Sequence, residues 1–551
     1  MWIEGTLKLE SNPEAYAYPL LIKRILESAP RYAPDQAIYM GKDKVCSYKE
    51  LPSRVASLCD SLSKKGLKPS DRIGVMDWDS HRYLDLFFAV PCLGSVLHTI
   101  NVRLSASQIV WTINHAQDRF LFVHPDFLPL IESSLDSLES VERVFVYGAQ
   151  GERSNHPKLA YFEYEELIDS GSEKTVLADF DEDSVATLFY TTGTTGDPKA
   201  VYFTHRQLVL HTMALSQAIG CYDDNRIFSS NDVYMPLTPM FHVHAWGIPY
   251  VATLLGAKQV YPGRYEPSLI LDLIESHQVT FSHCVPAILQ MILNHPKSEK
   301  MDLGHWKVVI GGSAFSPGLA KAAMQKGIDA YSGYGMSETC PVLSLTHLSF
   351  EERELPLDEQ VDLRVRAGVP IPFVDLGVVS SGDSNPSTES GASGEVVART
   401  PWLTQNYYLN EEAGNRLWTD GWLHTGDVGE MDGSCLKITD RIKDVIKSGG
   451  EWISSVDLER RISRVDGVKD VAVVGVEDVK WGERPVVWYI SETPNHDSIL
   501  DALSKDVKEG TLSKWAIPEI VERVEEIPRT SVGKTDKKRI RQILLERGSQ
   551  V

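Results

Sequence analysis

Between Thr191 and Lys199 the chain reads Thr191-Thr192-Gly193-Thr194-Thr195-Gly196-Asp197-Pro198-Lys199. Glycines let a backbone approach an anion closely, hydroxyls and free N–H groups donate to its oxygens, and Lys199 adds positive charge. These residue types in this order suit a polyphosphate. The common nucleoside-triphosphatase loop requires GxxxxGK followed by Ser or Thr. Its only matching ending, Gly533-Lys534-Thr535, has Pro528 where the first glycine belongs. A second pair of reactive types, His283-Cys284, lacks a third group to orient the base and reads as core.

A phosphate loop needs elements to hold it. Residues 185–190 form an apolar, β-rich run and 205–219 a helical pattern, which predicts a strand–loop–helix setting. The same alternation recurs where 72–76 precede the helical 80–90, and where 307–310 precede a Gly-Gly turn and the helical 317–325. This rhythm implies an α/β fold with largely parallel sheets covered by helices on both faces. Near Asp440 the texture turns basic, and 440–551 have the elements of a small α/β domain: strands at 471–476 and 486–490, a helix at 455–465. The division is therefore 1–439 and 440–551. The polar stretch 380–393 reads as a surface loop between strands.

The 551 residues are ample for more than one domain, and 42% hydrophobic with 24% charged content is that of an ordered globular protein. A net charge of -21 argues against a general nucleic-acid binder, though not against small anionic substrates met by local cations. Seven scattered Cys with no CxxC pair indicate neither a disulfide framework nor a zinc site. With no signal peptide or membrane span legible, a cytoplasmic location is expected.

Four further motifs accompany the loop: Tyr331-Ser-Gly-Tyr-Gly-Met-Ser-Glu338; Trp422-Leu-His-Thr-Gly-Asp427; Asp440-Arg-Ile-Lys-Asp-Val-Ile-Lys-Ser-Gly-Gly450 with Glu451-Trp452-Ile453; and Pro528-Arg-Thr-Ser-Val-Gly-Lys534. In this order and spacing the chain resembles the acyl-adenylate-forming superfamily, which includes acyl-CoA synthetases, luciferases and peptide-synthetase adenylation domains. Ser337 stands where that family usually has Thr, and Ala200 where Gly is usual.

The resemblance implies a large N-terminal domain of parallel-sheet α/β subdomains with a small β-barrel, and a small mobile C-terminal domain. It also implies the reaction: a carboxylate attacks the α-phosphorus of ATP, pyrophosphate leaves, and a thiol then attacks the acyl-adenylate. Both first reactants are anionic, so positive charge is needed where they meet. Lys534 is the expected bridging ammonium. Glu338 with Thr191 would hold Mg2+ on the phosphates. Thr191, Thr192, Gly193, Thr194, Thr195, Gly196 and Lys199 would cradle the phosphates. Asp427 would accept from the ribose hydroxyls. Tyr334, within Gly333, Gly335, Met336 and Ser337, offers a face to adenine, while Gly312, Ser313 and Ala314 offer close backbone and Arg441 a ribose or phosphate contact.

For thioester formation the resemblance implies rotation about Asp440. That rotation would bring Lys447, Ser448, Gly449, Gly450, Glu451 and Trp452 around the thiol of CoA. The segment 239–249 should flank the acyl pocket. It lacks the Asp that amino-acid-activating relatives place near here, which favours an apolar acid. Its Phe-His-Val-x-Ala-Trp-Gly pattern is similar to medium- and long-chain fatty acyl-CoA synthetases, which makes Trp246 the expected gate. His242 would then stand beside the carboxylate, and Val243 and Gly247 would line the pocket. His244 reads as a satisfied core or surface histidine.

The expected activity is that of an AMP-forming acyl-CoA synthetase, an acid–thiol ligase using ATP, Mg2+ and CoA. The partners are small molecules, with a homodimer by analogy. An adenylate ligase loading a separate carrier protein and a luciferase-type oxygenase are the alternatives. A non-catalytic nucleotide sensor would be expected to lack Lys534 or Glu338.

Overall fold

The computed structural model describes residues 10, 12–148, 155–191, 198–380, 383, 385–448, 451–478, 480–531 and 533–548. Two largely parallel sheets come first. The seven-stranded one runs in space through Leu159–Phe162, Arg143–Tyr147, Phe120–Val123, Arg72–Met76, Val96–Thr99, Val185–Thr191 and Lys199–Thr204, antiparallel only at the last pair. The nine-stranded one has a parallel centre of Asp329–Gly335, Lys307–Ile310, Phe281–Cys284, Val233–Pro236, Lys258–Tyr261 and Ala37–Met40, flanked by antiparallel edges.

Alternation along each strand explains the layering. Phe120 and Phe122 face one core while Leu121 and Val123 face another. Val309 enters the first core, and Val308 and Ile310 enter a third. The first core is thus shared by both sheets, with Phe87, Phe88, Leu208 and Tyr250 packed between them from helices His81–Cys92, His205–Gly220 and Ile248–Leu255.

A third, antiparallel five-stranded sheet runs from Asp375–Val379 to Cys435–Arg441. A last five-stranded sheet spans Ile446–Ser448 to Ile520–Arg523. Its strand Val468–Asp478 alternates too: Val471 and Val473 pack with Leu458 and Ile499 on one face, Ala472 and Val474 with Ile540 on the other.

One expectation fails. The phosphate loop is not followed by a helix: Lys199–Thr204 is a strand pairing back onto Val185–Thr191, with Thr191 opposite Lys199. The sequence Lys-Ala-Val-Tyr-Phe-Thr, rich in β-branched and aromatic residues, accounts for it. Helix His205–Gly220 begins only after the second strand, capped by Thr204. Among the described residues no helix is long and apolar enough to cross a membrane.

Candidate active site

The carboxyl ends of parallel strands in an open α/β sheet leave a crevice, because the connecting loops diverge there. Here Phe281–Cys284, Lys307–Ile310 and Asp329–Gly335 all end at one cleft of about 1690 Å³, lined by Pro286 and Gly312 just beyond the first two and by Gly335 at the end of the third. The same cleft is lined by Thr191, Lys199, His242, Ser313, Ala314, Gly333, Tyr334, Met336, Ser337, Glu338, Asp427, Asp440, Arg441 and Lys534. Segments far apart in sequence thus converge. Thr192, Gly193, Thr194, Thr195 and Gly196 lie outside the described residues, as do Gly449 and Gly450.

Asp427 and Arg441 sit opposite each other on neighbouring strands, and Arg441 Nε donates to Asp427 Oδ1 at 2.9 Å. Tyr334 Oη donates to Asp427 Oδ2, also at 2.9 Å. The tyrosine expected to face adenine is thereby fixed to the carboxylate expected to meet the ribose. Gly335 is required locally, since a Cβ there would collide with the Pro341 carbonyl. Glu338, 6% exposed, accepts a 2.5 Å hydrogen bond from Tyr407 Oη, and the Tyr407 ring carries Lys199 Nζ at 4.8 Å from its centre.

Lys534 reaches this cluster from the chain's end. Its loop docks on the earlier part of the protein: Asn101 Nδ2 donates to Ser531 Oγ at 3.1 Å, and a Cβ on Gly533 would touch Val285. Desolvation in the cleft, with repulsion from Arg441, lowers the Lys534 ammonium to about 8 despite attraction from Asp427 and Glu338. Desolvation also takes His242 to about 3, helped by Lys534 and Arg103, so its imidazole is neutral.

The segment after His242 has an unusual backbone. Val243, His244, Ala245 and Trp246 have φ of 47°, 54°, 48° and 58°, one turn of left-handed helix closed by Gly247 at 75°. Left-handed turns of L-residues cost roughly 1–2 kcal/mol per residue, so the surrounding packing must hold this one. It lays the Trp246 ring on Gly311 and Gly312, where Cβ atoms would stand 3.0 Å and 3.8 Å from it, and 5.0 Å from the His283 ring. Asp79 supports the approach to the turn: Oδ1 accepts from Met240 N–H at 2.8 Å and Oδ2 from the Tyr265 hydroxyl.

The structure does not bring Lys447, Ser448, Glu451 or Trp452 to the cleft. They form the hairpin Ile446–Ser448 with Glu451–Ile453, where Trp452 is 67% exposed and carries Lys447 Nζ at 5.3 Å. Val243, Trp246 and Gly247 are also outside the cleft's lining. His283 and Cys284 are core, as expected: His283 Nε2 bonds the Tyr234 hydroxyl at 2.8 Å, and burial pushes the Cys284 thiol up. His244 is core but not satisfied among the described residues. Tyr407 and Asp79 were not legible as site residues, since neither lies in a motif.

The model of the AMP-binding enzyme family matches residues 26–408, and that of the AMP-binding enzyme C-terminal domain matches 457–534. The chain belongs to the AMP-binding enzymes. It is 37% identical to a long-chain-fatty-acid–CoA ligase of Thermus thermophilus, covering 92% of this chain and 91% of that one. It is 35% identical to a 3-methylmercaptopropionyl-CoA ligase of Ruegeria lacuscaerulensis (95% and 97% covered), and 33% identical to a medium-chain-fatty-acid–CoA ligase of Ectopseudomonas oleovorans (97% and 98%). In fold, this AMP-binding enzyme matches an anthranilate CoA ligase solved with anthranoyl-AMP, at TM-score 0.85 and 22% identity, over 96% of this chain and 99% of that one.

Proposed function

We propose that the protein is an AMP-forming acyl-CoA ligase acting on a fatty or otherwise apolar carboxylic acid. A carboxylate oxygen bonds to the α-phosphorus of ATP as the bond to pyrophosphate breaks. The CoA sulfur then bonds to the acyl carbon, and AMP leaves with the electron pair of the broken C–O bond. The observation that carries this reading is the placement of Lys534 in one cleft with Glu338, Asp427 and His242. A cation between two anionic reactants stabilises the charge that builds as they meet. The relatives' names support a CoA acceptor over a carrier protein or an oxygenase.

Mg2+ fits the cleft. Glu338 lines it with one carboxylate oxygen bonded to Tyr407, and Thr191 adds a hydroxyl. Among the described residues no three His, Cys, Asp or Glu gather around a point, so the ion would depend on nucleotide oxygens and water beside Glu338 and Thr191, as Mg2+ tolerates. Bound there, it would neutralise phosphate charge.

The reading divides the chain after Thr439, with Asp440 as pivot. Asp440 pairs with Val428 through its backbone, while its carboxylate holds the N–H and hydroxyl of Ser455 in the following helix. Rotation there would withdraw Lys534 and bring Lys447, Ser448, Glu451 and Trp452, with Gly449 and Gly450, to the thiol path. Trp246 would separate the nucleotide from the acyl pocket. The reading keeps the cytoplasmic setting expected from the sequence, and a homodimer by analogy with fatty-acyl relatives. Pyrophosphate release screened across carboxylic acids of graded length, with and without CoA, tests the reading. It predicts AMP and pyrophosphate from apolar acids and thioester only with CoA; no AMP from any acid would contradict it.

A further inference from the structure

Beyond the Trp246 ring, the left-handed turn places His244 among Phe87, Phe189 and Tyr250, at ring-centre distances of 5.8, 5.3 and 6.3 Å. His244 is fully buried, and neither ring nitrogen has a hydrogen-bond partner among the described residues. His211 reaches the same place from helix His205–Gly220: a Cβ on Gly247 would meet its ring at 3.1 Å. It is 1% exposed, its Nε2 is also without a partner there, and Trp402, with an equally unpartnered Nε1, packs edge-on at 5.6 Å. Buried polar atoms in native proteins are nearly always paired, so a cluster of unpaired ring nitrogens calls for a partner.

The chemistry of that partner is narrow. Desolvation lowers both imidazoles to about 3, so each is neutral, with one donor and one acceptor nitrogen. The surrounding rings of Phe87, Phe189, Tyr250 and Trp402 carry no charge, and a buried carboxylate or ammonium would be left without a counter-ion. An uncharged oxygen satisfies the nitrogens without that cost.

We propose that His211 and His244 form a polar subsite in the wall of the acyl pocket, which hydrogen-bonds a single ketone or hydroxyl oxygen on the chain of an otherwise apolar acid. The proposal rests on the acyl-CoA ligase reading and on the acyl chain passing Trp246. It makes these histidines specificity determinants rather than catalytic residues, because neither lines the cleft where the nucleotide would react.

The test is kcat/KM for pyrophosphate release by the full-length protein on hexanoate, octanoate and decanoate, each compared with counterparts bearing one ketone or hydroxyl at successive chain carbons. The subsite predicts that at one position the oxygenated acid exceeds its parent by about tenfold or more, since a site built to bond an oxygen rejects the analogue lacking it. His244→Leu and, separately, His211→Leu should bring that ratio to about one. Parents turned over as well as every oxygenated counterpart would overturn the subsite alone, with buried water as the histidines' partner. So would a preference that survives both substitutions. Should either variant fail to fold, the wild-type ratios decide. No pyrophosphate from any acid would overturn the ligase reading and the subsite with it.

Discussion

Gly312 and Lys534 meet in the cleft: a Cβ built on Gly312 would stand 3.4 Å from Lys534 Cε, 3.3 Å from Val285 Cγ1 and 3.8 Å from Trp246 Cζ2, on a backbone with φ of +78°. The lysine brought from the end of the chain is thus seated over a glycine that follows a central strand, in a backbone conformation that residues with side chains rarely adopt.

Gly312→Ala should therefore injure function more than folding. A positive φ with a Cβ costs about 1 kcal/mol, a shift of a few degrees in Tm. Relief of that strain by a shift of the turn that seats Lys534 should lower pyrophosphate release about 10–100-fold. Parallel thermal denaturation and turnover assays separate the two effects, and wild-type turnover would contradict the packing argument.

Asp427→Asn removes the charge that holds Arg441 while keeping an oxygen for Tyr334. The expected result is a rise of roughly 10–100-fold in KM for ATP with little change in KM for the acid, because a charged group left without its partner is costly. Equal effects on both substrates would place Asp427 outside the nucleotide site.

The Lys534 ammonium, held near 8, sets a pH limit. Above that pH the free enzyme carries a neutral amine, so kcat/KM for ATP should fall as pH rises through about 8. Bound anions favour the charged form, so the corresponding limb of kcat should lie at higher pH. Lys534→Arg should move the kcat/KM limb out of the accessible range, whatever its effect on the maximum rate.

Asp79 makes a prediction about stability. Burial raises its carboxyl from 3.8 to about 7, against the hydrogen bonds from Tyr265 and Met240 and the charge of Arg103. A carboxyl with a raised folded pKa binds more protons folded than unfolded, so its contribution is greatest at low pH and is lost as pH rises from about 4 to about 7. Asp79→Asn removes this dependence: relative to wild type the variant should gain roughly 2–4 kcal/mol across that window. Denaturant melts at successive pH values measure it, and a constant difference would contradict the buried-carboxylate account.

The motifs were legible because each is a run of local residue types: glycines and threonines near Lys199, Tyr334 to Glu338, Asp427, Lys534. Parallel strands ending at one edge explain why they converge, and the βα rhythm carried that information too. The strand Lys199–Thr204 is hidden because it is a single short β-rich run between the loop and the helical pattern that starts at His205. Long-range pairs left no sequence trace, such as Tyr407 on Glu338 or Asp79 on Met240, because nothing local marks a partner so distant. The left-handed turn was invisible for another reason: Val243 to Trp246 include no glycine, and only the packing around them imposes positive φ.

The central claim is that Lys534 joins two negative reactants and takes no part once the adenylate exists. Lys534→Ala, assayed separately for pyrophosphate release from ATP plus acid and for thioester formation from supplied acyl-adenylate plus CoA, tests it most directly. Loss of about 100–1,000-fold in the first step with the second retained is the predicted result. Equal loss in both steps, or none in either, would contradict it.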